Sequence, residues 1–136
     1  MPPAALFTGA ALYVSAVEHP ARRNLDPGGA LAEWKPAYKR GAVIQAPLAL
    51  TGFVLGLAAW WLEGGWLWLA GAFVLVANWP YTLLVIRPVN NRLLATRPAE
   101  AGSESQAWLE KWARLHMART LLGAAAMILF LAASPR

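Results

Sequence analysis

Apolar residues fall into four long runs along this chain, separated by polar segments and one short turn. Each run is close to the roughly 20 residues that an α-helix needs to cross a bilayer. The runs cover about residues 2–17, 41–62, 66–87 and 115–133. This pattern predicts an all-α protein, namely an antiparallel four-helix transmembrane bundle with two longer polar loops on one side.

Turn and cap signals extend two of the predicted helices beyond their apolar runs. The first run is short, so we expect its helix to continue towards Arg23, before Asp26-Pro27-Gly28-Gly29 ends it. Ser103-Glu104-Ser105-Gln106 reads as a capping box, which starts the last helix ahead of the membrane. No basic residues precede the first run, so we interpret it as a retained membrane helix. Residues 1–136 are thus predicted to form a single integral membrane domain, with helices at about 2–23, 41–62, 66–87 and 104–133.

The composition supports this interpretation. Hydrophobic residues make up 58% of the chain and charged residues 14%, whereas about a quarter of a soluble domain is charged. The chain has no cysteine, which excludes disulfides and thiolate metal sites. The net charge of +5 comes from basic residues at helix ends, which favours anionic lipid headgroups over nucleic acid as the partner.

The basic residues also predict an orientation. Five of them lie between the first two helices and five follow the third, whereas the turn Glu63-Gly64-Gly65 has none. By the positive-inside rule, segments 18–40 and 88–114 are cytoplasmic and both termini face outward. The expected location is the inner membrane of a bacterium.

Tryptophan is abundant, with eight residues in the chain. We interpret seven of them, which lie near predicted helix ends, as an interfacial aromatic belt. Trp79 is the exception because it lies well inside the third helix, where it must pack against a helix, lipid or a bound aromatic molecule. The seven belt residues are Trp34, Trp60, Trp61, Trp66, Trp68, Trp108 and Trp112.

All four predicted helices carry polar residues at one depth, near the cytoplasmic boundary. Ionisable groups in or near lipid are expensive and are usually kept for a function. Trp112, His116 and Arg119 fall within about 60° of one another on a helix and form one stripe. The other polar residues at this depth are Glu18, His19, Gln45, Asn90 and Asn91.

Four segments carry a resemblance to a known family that extends over essentially the whole chain. The sequence resembles the anthrone oxygenase-like family of small four-helix membrane proteins. The segments are Glu18-His19-Pro20-Ala21-Arg22, Asn78-Trp79-Pro80-Tyr81-Thr82, Arg87-Pro88-Val89-Asn90-Asn91-Arg92-Leu93-Leu94 and Trp112-Ala113-Arg114-Leu115-His116-Met117-Ala118-Arg119.

The resemblance implies that O2 oxidises a polycyclic phenol or anthrone-like substrate without flavin or haem. A neutral histidine would be the base, and Arg119 would stabilise the resulting anion. Trp79, Tyr81 and Trp112 would form a flat apolar slot, and Asn90 or Asn91 would bond a substrate oxygen. The candidate catalytic residues are Glu18, His19, His116 and Arg119; the candidate substrate-binding residues are Gln45, Trp79, Tyr81, Asn90, Asn91 and Trp112.

Two alternatives stay open at this stage. The first is a non-catalytic protein that binds a small hydrophobic ligand or serves as a subunit of a larger assembly. The second is a metal-dependent oxidoreductase, since two histidines and a carboxylate suit Fe. We predict no cofactor and no metal ligands, because the adjacent Glu18 and His19 point about 100° apart on a helix. Fe or Cu stays open. The expected partners are the lipid bilayer, a hydrophobic aromatic substrate and O2, with the oligomeric state and any meeting of His19 with His116 undetermined.

Overall fold

A computed structural model describes residues 2–135, which form four helices and one short 3₁₀ turn at Pro98–Glu100. Helix α1 covers residues 2–22 and consists of Pro2–Tyr13, a π turn at Val14–Glu18 and His19–Arg22. The others are α2 (Pro27–Glu63), α3 (Trp66–Ala95) and α4 (Ser103–Ala133). The prediction of an all-α, four-helix protein is confirmed.

The helices form a closed ring of neighbours. Helices α1 and α3 each pack against both α2 and α4. A two-residue turn joins α2 to α3, and both of its residues, Gly64 and Gly65, have positive φ angles of 73° and 91°. Glycine adopts such angles without a steric penalty, so the chain reverses at once and the two helices run antiparallel. We call this the hairpin end of the bundle, and the opposite end the polar end.

Helices α2, α3 and α4 are long and apolar enough to cross a membrane. Only 22–28% of the residues in their most apolar windows are buried inside the protein. Large apolar side chains such as Leu62, Leu84 and Leu121 therefore point outward, where lipid would cover them. These features are consistent with an integral membrane protein.

Helix α2 begins at Pro27, whereas we predicted a polar loop up to about residue 40. Proline is favoured at the first helical position, and Asp26 has the extended backbone of an N-cap residue (ψ 163°). The added turns bury Leu31 and Trp34 completely. The same Pro-Gly-Gly signal that ends α1 therefore also starts α2, and the predicted loop 18–40 is mostly helical.

The connection from α3 to α4 is also shorter than predicted. Helix α3 continues to Ala95 rather than ending near residue 87. Helix α4 starts at Ser103, close to the predicted residue 104, but its cap differs from the predicted one. Gly102 is the N-cap, and its backbone N–H donates to Ser105 Oγ at 3.0 Å. The side chains of Ser103 and Gln106 do not make the capping box.

Two apolar cores lie one above the other in the bundle, with polar residues between them. The hairpin-end core includes Phe7, Leu75 and Phe130. The polar-end core includes Leu31, Ile86, Leu93 and Leu109. Buried polar side chains from α2, α3 and α4 lie between the two cores along their helices: Gln45, Asn78, His116 and Thr120.

The predicted tryptophan belt is wrong for three of its seven members. Trp34, Trp68 and Trp112 are buried in the two cores. Trp61 and Trp66, beside the hairpin turn, are exposed as predicted. Position near a helix end does not reveal which face a residue occupies, and a large apolar ring on the inner face contributes to the core.

Candidate functional site

A small cavity of about 30 Å³ lies between the two cores; we call it the central cavity. Its volume suits one or two water-sized molecules. All four helices line it, and it brings together six of the ten candidate residues: Glu18, Gln45, Asn90, Trp112, His116 and Arg119. Its other lining residues are Val14, Ala37, Tyr38, Gly41, Ala42 and Ile86.

Helix α4 supplies the stripe that the sequence predicted. Trp112 stacks on His116 with ring centroids 4.9 Å apart, and Arg119 follows one turn later on the same side. His116 is 4% exposed, and its Nδ1 lies 3.3 Å from Ser15 Oγ on α1. The Ser15 hydroxyl is also 3.2 Å from Thr120 Oγ1. The histidine ring is thus held from one side by stacking and from its edge by a hydroxyl.

The Arg119 side chain crosses the bundle from α4 towards α2. Its Nη2 donates to Gln45 Oε1 at 3.1 Å, and its guanidinium carbon lies 5.5 Å from the centre of the Phe7 ring. The Nε–H group is buried and has no hydrogen-bond partner among the described residues. Because Gln45 is neutral, this hydrogen bond leaves the positive charge of Arg119 uncompensated.

The two asparagines of α3 have different surroundings. Asn90 is 1% exposed, and its Oδ1 faces no partner within the described part of the chain. Asn91 is exposed on the outside of the helix. Of the two candidates for bonding a substrate oxygen, only Asn90 lines the central cavity.

The three predicted slot rings do not enclose one space. Trp112 lines the central cavity, whereas the Tyr81 hydroxyl donates to the Leu115 carbonyl at 2.7 Å and holds α3 to α4. Trp79 lines a second cavity of about 130 Å³ between α2 and α3, which we call the membrane-facing cleft. Its lining residues are Ala42, Ala46, Ala49, Asn78, Trp79, Thr82, Leu83 and Arg119.

Glu18 is bonded to Arg22, which was not among the predicted site residues. The Arg22 side chain is 2% exposed; it donates to Glu18 Oε1 at 2.8 Å and also to Glu33. One Arg22 nitrogen lies 3.3 Å from His19 Nδ1. The spacing of Glu18 and Arg22 by four residues is typical of a helical ion pair, so the sequence alone could have predicted their contact. The contact with Glu33 could not be predicted, because Glu33 lies on the unpredicted first turns of α2.

His19 does not line the central cavity. Its Nε2 is 3.4 Å from Glu110 Oε1, and Glu110 accepts two hydrogen bonds of 2.8 Å from Arg23. His19, Glu110 and His116 all line a further cavity of about 280 Å³, which we call the side cleft. His116 therefore lies between the central cavity and the side cleft, whereas His19 reaches only the latter.

The candidate metal ligands are dispersed. Over residues 2–135, no three side chains of His, Cys, Asp or Glu are placed to hold one metal ion. Glu18 bonds to Arg22, and His19 faces Glu110. A set of two histidines and one carboxylate is therefore not assembled within this part of one chain.

Two aromatic residues of the site were missed because they lie on the unpredicted part of α2. Tyr38 lines the central cavity, and Trp34 stacks on it with ring centroids 4.9 Å apart and planes 5° from parallel. Trp34 also meets the edge of Trp112 at 5.8 Å. These rings fix the polar-end wall of the cavity.

Comparison with known proteins gives one family. No curated protein and no solved structure matches the chain. The family model for anthrone oxygenase matches residues 34–129, which is more than two thirds of the 136 residues. The match covers Gln45, Asn90, His116 and Arg119, whereas Glu18 and His19 precede it. The chain belongs to the anthrone oxygenase family.

Proposed function

We propose that this protein is a membrane-embedded oxygenase that oxidises a polycyclic phenol or anthrone-like substrate with O2. His116 is the base, and Arg119 stabilises the anion that forms. The observation that carries the proposal is the convergence of His116, Arg119, Gln45 and Asn90 on one cavity between two apolar cores. The family membership supports the same reaction class.

The proposed reaction begins with an acidic C–H group flanked by aromatic rings. His116 removes one proton from the CH2 carbon and leaves an electron-rich enolate. The enolate gives electrons to O2, and a carbon–oxygen bond forms to make a peroxide. The O–O bond then breaks: one oxygen leaves as water with the remaining hydrogen of this carbon and the proton held by His116, and the other oxygen becomes the ketone oxygen. In sum, CH2 and O2 become C=O and H2O, so that O2 is the only oxidant needed.

Arg119 is suited to the anionic stages of this reaction. Its positive charge is paired with the neutral amide of Gln45 rather than with a carboxylate. A fixed charge in a partly desolvated site stabilises developing negative charge more strongly than it would in water. In the proposal, the guanidinium therefore stabilises the enolate and the peroxide oxygen. Asn90 and Gln45 contribute neutral hydrogen-bonding groups around them.

We give His19 a secondary role. It lines the side cleft together with His116, and Glu110 lies 3.4 Å from its Nε2. This arrangement supports a route by which a proton passes between His116 and the protein surface. Glu18, which is bonded to the buried Arg22, then acts on structure and local charge rather than on the substrate.

The test is oxygen uptake by the detergent-purified protein with an anthrone such as dithranol, together with metal analysis and an ultraviolet–visible spectrum. We expect His116→Gln to abolish the protein-dependent uptake while its circular dichroism and melting temperature stay close to those of the original protein. His19→Gln is the matched control, which should retain part of the activity. Full activity of His116→Gln would contradict the assignment of the base, and stoichiometric Fe or Cu would favour the metal-dependent alternative.

A binding or assembly role is the second candidate. The buried Arg22 bonds to the partly exposed Glu18 and Glu33 and so ties α1 to α2, as expected of charges that fix the register of a structural subunit. This alternative gains support if neither protein-dependent oxygen uptake nor metal is found and His116→Gln lowers the melting temperature.

A further inference from the structure

Three residues that line the membrane-facing cleft each carry a buried polar atom that has no hydrogen-bond partner among residues 2–135. These atoms are Asn78 Oδ1, Thr82 Oγ1 and Arg119 Nε. Asn78 is 2% exposed, and its amide nitrogen already donates to the Leu75 carbonyl at 3.0 Å. Buried polar groups are normally satisfied, and leaving them unpaired is unfavourable. These atoms are covered by their neighbours, so a ligand in the cleft gains two acceptor oxygens and one N–H donor only when the side chains around them move aside.

The shape of the cleft suits a flat apolar ligand. Ala42, Ala46 and Ala49 form a wall of small side chains on α2. Trp79 lies on α3, and its Nε1–H donates to the Ala46 carbonyl at 3.1 Å, which fixes the indole across the gap. Trp79 and Leu83 are partly exposed on the outer surface, so the cleft opens towards lipid.

The membrane-facing cleft adjoins the central cavity. Arg119 and Ala42 line both. At about 30 Å³ the central cavity has room for a molecule such as O2 but not for fused rings, whereas the cleft measures about 130 Å³ and is open on one side. The guanidinium therefore lies between a small cavity that several polar side chains line and a larger cavity with a more apolar wall.

The cleft lies at a depth that lipid-soluble molecules reach. Helix α2 ends at Glu63, and a rise of about 1.5 Å per residue puts residues 49 to 42 about 20–30 Å from that end. The hydrocarbon core is about 30 Å thick. The cleft thus opens within the hydrocarbon region, on the side nearer the polar end.

We infer that the membrane-facing cleft is the subsite that binds the substrate's rings, and that the substrate enters it directly from the bilayer. A phenolic hydroxyl next to the ketone donates to Asn78 Oδ1 or Thr82 Oγ1, and the CH2 carbon lies on the opposite side of the central ring. The ligand class is a hydroxylated aryl ketone. The reacting carbon then faces Arg119 and the central cavity, where O2 is held. The reaction part of this inference rests on the proposed function, whereas the binding part does not.

Binding of a coloured, unreactive probe, 1,8-dihydroxyanthraquinone, to the protein in lipid nanodiscs tests the site. Ala46→Phe fills the cleft from α2, and we expect it to weaken binding at least tenfold. Asn78→Leu and Thr82→Val each remove one hydrogen-bond partner, and we expect each to weaken binding about fivefold. Two controls should bind as the original protein does: Ala58→Phe, at an exposed position nearer the hairpin end of α2, and Asn91→Leu, at the exposed asparagine of α3. Melting temperatures of all variants verify that they fold.

The outcomes separate this inference from the proposed reaction. If folded Ala46→Phe binds the probe normally while Asn90→Leu loses it, the rings occupy an enlarged central cavity and the inference is wrong. If binding depends on Ala46 but no oxygen uptake occurs, the subsite stands and the oxygenase proposal fails. If oxygen uptake depends on His116 but not on Ala46, the reaction stands and the subsite is wrong.

Discussion

Arg119 lines both the central cavity and the membrane-facing cleft. It is the one arginine or lysine in the interior of a predicted apolar run, since Arg87 only ends the third run, and it contacts Gln45 of α2 and the Phe7 ring of α1. A charged side chain at this depth is energetically expensive in lipid, and such residues usually mark a functional site. By contrast, Arg92 and Arg97 lie at the polar end and form exposed ion pairs with Glu104 and Glu100.

We predict that Arg119→Ala lowers protein-dependent oxygen uptake with dithranol by about a hundredfold or more, the range found when one stabilising donor is removed from an anion site. Arg97→Ala should leave the rate unchanged, because exposed ion pairs contribute little. Rates are measured under saturating O2, with circular dichroism as the folding control. Equal rates for the two variants would show that Arg119 does not take part in the reaction.

For single residues, sequence patterns predicted several that line the central cavity and few of those that surround it. Helical spacing put Trp112, His116 and Arg119 on one stripe, and they do line one cavity. It did not reveal that Arg22 would be buried, because its partner Glu33 lies on another helix. Contacts between helices depend on their packing order and rotation, which the apolar pattern of a single helix does not contain.

At the scale of the helices, α1 packs tightly against α4 at a glycine of α4. A Cβ atom added to Gly123 would lie 2.8 Å from Thr8 Oγ1 and 2.9 Å from Phe7 Cδ1. Small residues allow helix backbones to approach in lipid, where packing rather than the hydrophobic effect holds helices together. The Phe7 ring also lies beside Arg119, so this contact borders the site.

We therefore predict that Gly123→Ala lowers the melting temperature in detergent by several degrees, because α1 must move away from α4. Gly9→Ala on α1 is the matched control, since an added Cβ there meets nothing within 4 Å and alanine favours a helix. Melting is followed by circular dichroism. An equal effect of both substitutions would mean that the close approach at Gly123 is not needed for packing.

The ends of a helix were predictable where the hydropathy of the sequence changes sharply. They were not predictable where apolar and polar residues are mixed on both sides of the boundary. The hairpin turn at Gly64 and Gly65 was predicted, because it interrupts two apolar runs. The first turns of α2 were missed because residues 27–40 mix charges, glycine and proline with a few apolar side chains. Leu31 and Trp34 are completely buried there, but too few apolar residues surround them in the sequence for the pattern to show.

For the molecule as a whole, orientation in the membrane is still a prediction. The positive-inside rule places the polar end in the cytoplasm and the hairpin turn outside. The chain has no cysteine, so single cysteines can be introduced without a background. We predict that Glu63→Cys, at the hairpin end, reacts with a membrane-impermeant maleimide on intact spheroplasts, whereas Asn24→Cys reacts only after lysis. The reverse pattern would invert the orientation.

In the inferred arrangement, the membrane-facing cleft opens among lipid tails rather than into water. The concentration that governs its occupancy is then the number of substrate molecules per lipid, not per litre of buffer. Adding empty lipid to a fixed amount of enzyme and substrate would dilute the substrate within the bilayer and slow the reaction, although the bulk composition hardly changes. The KM would be constant when expressed as a mole fraction, and it would increase with total lipid when expressed as a molarity.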